Sequence, residues 1–327
     1  MADIVISKRN EVYLQIDCEP YIKQELSEYF TFEVPDAKFM PQFKNRMWDG
    51  KIRLFSPGNG QLYIGLLTYL FEWADEREYT CSLIDNEYYG KPADRDPDIL
   101  PETVREYLNY LTEGTAIKPR DYQYNAVFKA LRNYRKIILS PTGSGKSFMI
   151  YALVRFFTAA NLKTLIIVPS ISLVTQLFKD FEDYGWNPEE YCHKIYQGEA
   201  KVSDAPVVIT TWQSIYKLPK KYFDSYTAVI GDECHTFKAK SLTSIMTKLH
   251  EAKYRIGFTG TLDGTKTHRL VLEGLFGVSD RVTSTTELMQ RDQLTQLKIK
   301  ILTLKHESYK FANYQDEMEY IVTHDKR

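Results

Sequence analysis

A short apolar run, Ile137–Leu139, ends in Ser140-Pro141-Thr142-Gly143-Ser144-Gly145-Lys146-Ser147, and a helical stretch, Ser147–Thr158, follows at once. That order of strand, glycine-rich loop and helix constrains the fold more than any other part of the chain. Glycines let backbone N–H groups close around phosphate oxygens, and the N-terminus of the next helix adds a favourable dipole. In such a loop Pro141, Thr142, Gly143, Ser144 and Gly145 form the cradle. Lys146 reaches the outer phosphates and Ser147 ligates Mg²⁺. The strict pattern wants glycine where this chain has Ser140. A glycine-rich turn without a ligand is the alternative, and Gly145-Lys146-Ser147 between a strand and a helix weighs against it.

Four further apolar runs follow: Leu165–Val168, Val207–Ile209, Ala228–Ile230 and Arg255–Phe258. Helical segments at Ser172–Asp183 and Ser241–Leu249 fall between them. Buried runs alternating with helices predict an α/β fold with a mainly parallel sheet covered on both faces. Ligands in such sheets bind at the carboxyl ends of the strands. The residues just after each run therefore carry the interest.

Ala228–Ile230 leads into Asp232-Glu233-Cys234-His235. In a nucleotide reading Asp232 holds Mg²⁺ through water and Glu233 activates the attacking water. His235 then senses the phosphate side. In a metal reading Cys234 and His235 are zinc ligands. Adjacent residues on an extended segment point to opposite faces, and no second ligand pair stands at structural-zinc spacing. The phosphate loop in the same unit favours the nucleotide reading. Leu165–Val168 is followed by PSISLVTQ, Val207–Ile209 by TTWQS, and Arg255–Phe258 by Thr259-Gly260-Thr261. Each of these alone is more often a helix cap or turn than a site.

With 327 residues the chain can build two cores. Residues 91–104, rich in Pro and Asp, mark a seam before a short helix, Val104–Leu111. Ahead of it, strands are expected at Glu11–Ile16, Lys51–Phe55 and Leu62–Leu66, and a helix from Tyr21 to about Phe30. This predicts a small α+β domain over 1–112, a nucleotide-type domain over 113–297 and a crossover segment over 298–327. The first 112 residues hold 12 Lys+Arg against 20 Asp+Glu, a balance of −8; the remainder holds 30 against 23, or +7. A mildly basic second part suits a polyanion. No apolar run is long enough to span a membrane. Four scattered cysteines without a CxxC pair read as reduced thiols of a cytoplasmic protein.

Residues 38–55 interleave bases with Phe39, Phe43, Trp48 and Phe55. Lys44, Arg46, Trp48 and Lys51 are the candidates there for nucleic-acid contact, bases neutralising phosphate and aromatics stacking on exposed bases. The same residues read equally well as the core of a small domain with a solvated rim. Trp48-Asp49-Gly50 reads as well as a hairpin turn.

Taken together, the motifs resemble the first motor domain of superfamily 2 helicases, the DExH branch. PRDYQ (119–123) stands where that family reads adenine, SPTGSGKS is its phosphate loop, and PSISLVTQ, TTWQS, DECH and TGT follow in the family's order over about residues 117–262. Within the superfamily, KFMPQFKNRMWDGKIRLF, the cysteine of DECH, and TGTLDGTKTH followed by GLFG are most similar to bacteriophage recombination helicases.

The resemblance implies a RecA-like P-loop domain, ATP and Mg²⁺ as cofactors, and ATP-dependent helicase or translocase activity on branched DNA. Forks, Holliday junctions and R-loops are the substrates it implies, in recombination, repair and replication within the bacterial host cytoplasm. The partner is branched or single-stranded DNA, with RNA–DNA hybrids left open, and no membrane. Gln123, helped by Arg120, reads the adenine. Lys146, Asp232, Glu233 and His235 are catalytic. Thr259, Gly260 and Thr261 couple the nucleotide to DNA. Ser170, Gln176, Thr211 and Trp212 hold one strand's phosphates, which gives salt-sensitive binding without sequence preference.

Such motors also need a second RecA-like domain, in cis or in trans, that carries an arginine finger. After Thr261 the arginines are Arg269, Arg281, Arg291 and Arg327, none in a QxxGRxxR-like context. KIKILTLK (298–305) reads as the last strand before the crossover to that domain. The expectation is the front half of a motor, which binds nucleotide and DNA weakly and hydrolyses little alone. Two alternatives stay open: a non-helicase P-loop ATPase that takes its finger from another subunit, and a non-catalytic DNA-binding fragment.

Overall fold

The structure, a computed structural model, describes residues 2–84, 96, 98–196, 200–262, 266–295, 300 and 310–323. The N-terminal module runs β1 (Ile4–Lys8), β2 (Tyr13–Cys18), α1 (Pro20–Tyr29), β3 (Thr31–Glu33), α2 (Pro41–Lys44), β4 (Lys51–Arg53), β5 (Phe55–Ser56), β6 (Gln61–Tyr63), α3 (Leu67–Asp75) and β7 (Cys81–Leu83). Five strands form a mixed sheet in the order β5-β6-β2-β1-β7. β1 and β2 are antiparallel with Ile6 opposite Ile16, so Ile4, Ile6, Leu14 and Ile16 share one fully buried face. This is the two-residue period of a half-buried sheet. Pro20 opens α1 at its first turn, where a missing N–H costs nothing, and Ile22 and Leu26 face the sheet.

Two local expectations are corrected here. Lys51–Phe55 is not one strand: β4 pairs with β3 in a separate two-stranded sheet, whereas β5 pairs with β6. Leu54 is buried between them and its N–H donates to Phe30 O, so the chain changes sheets there. Trp48-Asp49-Gly50 is not a two-residue hairpin turn. β3 and β4 are joined through residues 34–50, which include α2, and the junction closes where Val34 N donates to Gly50 O at 2.8 Å.

The rest of the chain runs α4 (Pro101–Leu111), α5 (Asp121–Asn133), β8 (Arg135–Leu139), α6 (Lys146–Ala159), β9 (Thr164–Val168), α7 (Ile171–Asp183), α8 (Pro188–Tyr191), β10 (Cys192–Ile195), β11 (Val207–Thr211), α9 (Trp212–Ile215), α10 (Lys220–Phe223), β12 (Ala228–Gly231), α11 (Lys240–Lys248), β13 (Tyr254–Thr259), α12 (Lys266–Phe276), β14 (Ser279–Arg281), α13 (Thr285–Gln290) and α14 (Tyr314–Thr323). The sheet order is β10-β11-β9-β12-β13-β8-β14, and every pairing is parallel. β9, β11 and β12 are buried along their whole length, as strands covered on both faces must be. The segment 298–305, read from sequence as a strand, lies outside the described residues apart from residue 300.

Two apolar clusters flank this sheet. One joins α4, α5, α6 and α7 to β8, β9, β11 and β12. Val104, Leu108 and Leu111 of α4 belong to it, so a helix ahead of residue 112 packs on this sheet. The other cluster runs without a break from the N-terminal module (Ile4, Leu26, Trp73) to Phe237, Leu270 and Phe276 under the seven-stranded sheet. Gly65 fits here because a Cβ would lie 2.0 Å from Glu273 O.

Polar contacts reinforce the seam. Glu11 N donates to His250 O at 3.0 Å, Tyr69 Oη donates to the buried Glu273 carboxylate, and Glu11 pairs with both Lys8 (2.6 Å) and the buried Arg135. Fully buried Arg255 lies beside them. Its guanidinium donates to the carbonyls of Met246 (2.7 Å), Leu249 (3.0 Å) and Leu275 (2.7 Å).

Candidate functional site

The loop between β8 and α6 lies at the carboxyl edge of the sheet. Gly143 (φ +80°) and Gly145 (φ +77°) hold left-handed backbone, where a Cβ is penalised. Gly145 also abuts Gln123, whose Nε2 would be 2.5 Å from any added Cβ. Ser140, the departure from the strict loop, is fully buried, and its hydroxyl shares a 2.6 Å hydrogen bond with Ser144, which also lies 2.6 Å from Pro141 O. Ser144 donates its one hydroxyl proton to Pro141 O, so Ser140 donates to Ser144 Oγ, and a serine is accommodated there. Ser140 N donates to Thr259 O at 2.9 Å, which ties the loop to β13.

Arg120 opens α5, its carbonyl accepting from Gln123 N at 2.9 Å. The Arg120 backbone N–H donates to Gln123 Oε1 at 2.8 Å, and the Gln123 amide donates to Ser144 O at 3.0 Å. The Arg120 guanidinium reaches Tyr122 Oη (2.7 Å) and Gly143 O (3.3 Å). The 119–123 motif thus grips the phosphate loop directly. Gln123 keeps one amide hydrogen and one lone pair beyond these bonds.

Lys146 and Glu233, 87 positions apart in the chain, form an ion pair at 2.8 Å. β12 adjoins β9, and Asp232 N donates to Ile167 O at 2.9 Å, which carries the DECH segment to the loop. Glu233 adopts φ +48°, a conformation unusual for a residue with a Cβ, and Asp232 Oδ1 accepts from its N–H at 3.0 Å. Burial pushes the Asp232 carboxyl above its ordinary range, partly offset by the nearby Lys146 charge.

His235 Nδ1 lies 2.9 Å from the buried Thr259 hydroxyl and 3.3 Å from Glu233 Oε2. The Thr259 hydroxyl donates to Thr261 O at 2.9 Å. Glu233 Oε2 lies 3.5 Å from the same hydroxyl, which therefore faces three partners. DECH and TGT are therefore joined by one chain of hydrogen bonds, and Gly260 packs on Ser140 and Pro141.

The Cys234 side chain is fully buried under Gly257, away from His235. The two do not converge, and among the described residues no group of three or more His, Cys, Asp and Glu side chains is arranged to hold a metal. A magnesium ion requires no such cage, since it retains several waters and binds through one or two carboxylates and phosphate oxygens.

The loop, α7 and DECH enclose a cavity of about 370 Å³ lined by Lys146, Ser147, Gln176, Asp180, Asp232 and Glu233, among others. Asp180 was not singled out from the sequence. Its carboxyl is raised by burial, which the nearby Ser147 hydroxyl offsets in part. Ser147 Oγ also lies 2.8 Å from Tyr184 Oη. Leu173, Gln176, Leu177 and Asp180 follow one helical face at i, i+3, i+4 and i+7, a signal the sequence did contain. Two more residues were missed. Arg291 Nη1 sits 2.8 Å from both Asp121 carboxylate oxygens, and Leu294 lies against Gly143.

The four residues expected at a nucleic-acid backbone lie at the same edge in different settings. Ser170 caps α7, accepting from Leu173 N at 3.4 Å. Gln176 is exposed at the cavity mouth. Thr211 is buried and shares a 3.0 Å bond with Ser214, and Trp212 is half-buried against Tyr216. In the N-terminal module Lys44 and Arg46 are exposed, whereas Trp48 is half-buried with its indole N–H on Lys51 O at 2.8 Å. Of the aromatics read there as either core or contact, Phe55 is core, while Phe39 is 63% and Phe43 37% exposed.

Comparison with known proteins divides along the same seam. Residues 3–85 match the family described as DNA helicase UvsW, N-terminal, and residues 116–264 match the type III restriction enzyme, res subunit family. The chain is 33% identical over 339 aligned positions to the ATP-dependent DNA helicase uvsW of Enterobacteria phage T4, covering 99% of this chain and 66% of that protein. It is 32% identical over 161 positions to the DNA 3'-5' translocase XPB2 of Sulfurisphaera tokodaii, covering 49% of this chain and 34% of that one. A crystal structure of the UvsW helicase from bacteriophage T4 superposes with a TM-score of 0.76 at 32% identity, covering 85% of this chain and 99% of that chain. The chain thus spans about two thirds of the phage helicase and about one third of the archaeal translocase.

Proposed function

The chain belongs to the UvsW family of DNA helicases, and from that premise we propose that it comprises the N-terminal module (1–112) and first motor domain (113–297) of an ATP- and Mg²⁺-dependent DNA helicase or translocase that remodels branched DNA. Family membership displaces the reading as an unrelated P-loop ATPase. The observation that carries the proposal is the convergence of Lys146, Ser147, Asp232 and Glu233 on one cavity.

The loop amides and Lys146 bind phosphate oxygens, and Arg120 and Gln123 meet the base. Ser147 and Asp232 would hold the magnesium ion, whose chemistry is neutralisation of phosphate charge. Lys146 must exchange Glu233 for phosphate when nucleotide enters. That frees Glu233 to accept the proton of the attacking water. His235, Thr259 and Thr261 carry the state of that carboxylate to β13. Ser170, Gln176, Thr211 and Trp212 contact one DNA strand. A second RecA-like domain, in cis or trans, supplies the arginine, and the setting is the host cytoplasm.

The test is steady-state ATP hydrolysis by this chain, with and without a four-way DNA junction. Near-zero turnover with retained nucleotide binding is the expected outcome. Turnover at a typical helicase rate, several per second, from this chain alone would overturn the half-motor reading.

A further inference from the structure

A second cleft, of about 930 Å³, opens between the N-terminal module and α11 of the motor. Its module wall carries Tyr13, Met47 and Trp48, and its motor wall Lys238, Lys240 and Thr247. It is separate from the nucleotide cavity, with which it shares no lining residue. Its chemistry is uneven. His268 and the two lysines line it together with three hydroxyls of α11 and an Arg53 already paired with Asp49, and no Asp or Glu is among the described lining residues. That is notable beside a module of balance −8. Lys238 and Lys240 are exposed, and Lys238 Nζ lies 3.4 Å from His268 Nδ1, so two basic groups gather at one point of the wall. Opposite them, exposed Met47 (79%) and half-buried Trp48 present apolar surface.

A basic, hydroxylated wall facing an aromatic and thioether wall matches a nucleic-acid strand in section, with phosphates on one side and base faces on the other. Base faces are open to stacking only where a strand is unpaired. We infer that this cleft binds single-stranded DNA, as a site distinct from the strand contacts at the sheet edge. Lys238 and Lys240 hold phosphates and Trp48 meets a base. The inference rests on the DNA-remodelling reading above and adds to it a place for a second strand of a branched substrate. Lys238 lies three residues after His235, so a strand held there adjoins the DECH segment.

The test uses the whole chain and a dye-labelled oligothymidylate, titrated over a range of salt. Removing two phosphate contacts lowers the magnitude of the single-strand salt slope by about 1.4. Lys238→Ala with Lys240→Ala is therefore expected to show that change and about tenfold weaker binding. Ser244→Phe, which narrows the cleft without altering charge, is expected to weaken binding similarly. Unchanged binding of a fluorescent ATP analogue certifies that each variant is folded. Photocrosslinking of the parent to an oligonucleotide carrying 5-iododeoxyuridine should give adducts at Trp48 or Tyr13. Parent binding with both variants equal to it, or adducts confined to residues 170–176 and 211–216, would overturn the cleft site and leave the functional reading standing. A parent chain that binds no DNA would overturn both.

Discussion

Replacing Glu11 by Gln tests whether the N-terminal module and the motor form one folding unit. Glu11 stands on the module, yet its carboxylate serves Arg135 at the start of β8, whose side chain is only 2% exposed. Arg135 Nε and Nη1 have no hydrogen-bond partner among the described residues, and the fully buried Arg255 adds a second positive charge nearby. Glutamine keeps the shape and an acceptor but removes the compensating charge. Breaking a buried pair in this way costs about 3–5 kcal/mol, a large share of the roughly 5–15 kcal/mol that holds a domain together.

The assay is equilibrium urea unfolding near neutral pH. A large fall in the midpoint at constant slope is expected, and Glu11→Gln with Arg135→Met should recover part of it, because no buried charge is then stranded. The pH dependence gives the sign. Burial raises the Glu11 carboxyl, but Arg135 and Lys8 together outweigh it, and the net shift is below the ordinary value of 4.5. A carboxyl depressed in the folded state contributes its stability in full above the unfolded value, and loses it as pH falls through the folded one. The gap between parent and variant should therefore be widest above pH 4.5 and close on acidification. A loss under about 1 kcal/mol, typical of surface pairs, would refute the shared-core reasoning.

Three further outcomes follow from the contacts. Gly65→Ala forces a Cβ to 2.0 Å from Glu273 O, whereas Gly58→Ala meets nothing within 4 Å. The first should destabilise by about 1–3 kcal/mol and the second by under about 0.5 kcal/mol, read by thermal unfolding. Gly145→Ala combines φ +77° with a 2.5 Å approach to Gln123 Nε2; it should weaken binding of a fluorescent ATP analogue at least tenfold. Thr259→Val removes the hydroxyl that links His235 Nδ1 to Thr261 O. It should cost about 0.5–1.5 kcal/mol of stability while analogue binding stays within twofold.

What could be read from the sequence followed its physics. The central strands β8, β9, β11, β12 and β13 were legible because parallel strands covered on both faces are continuous apolar runs. The edge strands β10 (CHKI) and β14 (SDR) were not, since only one neighbour pairs with each and their residues carry no such run. The N-terminal sheet was half legible. β2 alternates cleanly, but β7 joins β1 across more than 70 positions, and no local pattern announces that pairing. The break at Leu54 escaped notice because each half of Lys51–Phe55 reads as strand on its own.

At the site, residue types with fixed spacing were visible and distances were not. The Lys146–Glu233 pair, the Ser140–Ser144 contact and the Thr259 hub exist only once β8, β12 and β13 lie side by side. The shared core beneath the motor sheet was likewise invisible, since the Pro- and Asp-rich seam suggested two separable parts.

The most direct test of the central claim is magnesium-dependent binding of an ATP analogue to this chain beside Lys146→Ala. A charged hydrogen bond of about 1.5–3 kcal/mol corresponds to a loss of roughly ten- to a hundredfold. The account predicts measurable binding by the parent and a loss of that size in the variant. Equal affinity in the two proteins would contradict it, because the loop at residues 140–147 would then not be where phosphate is held.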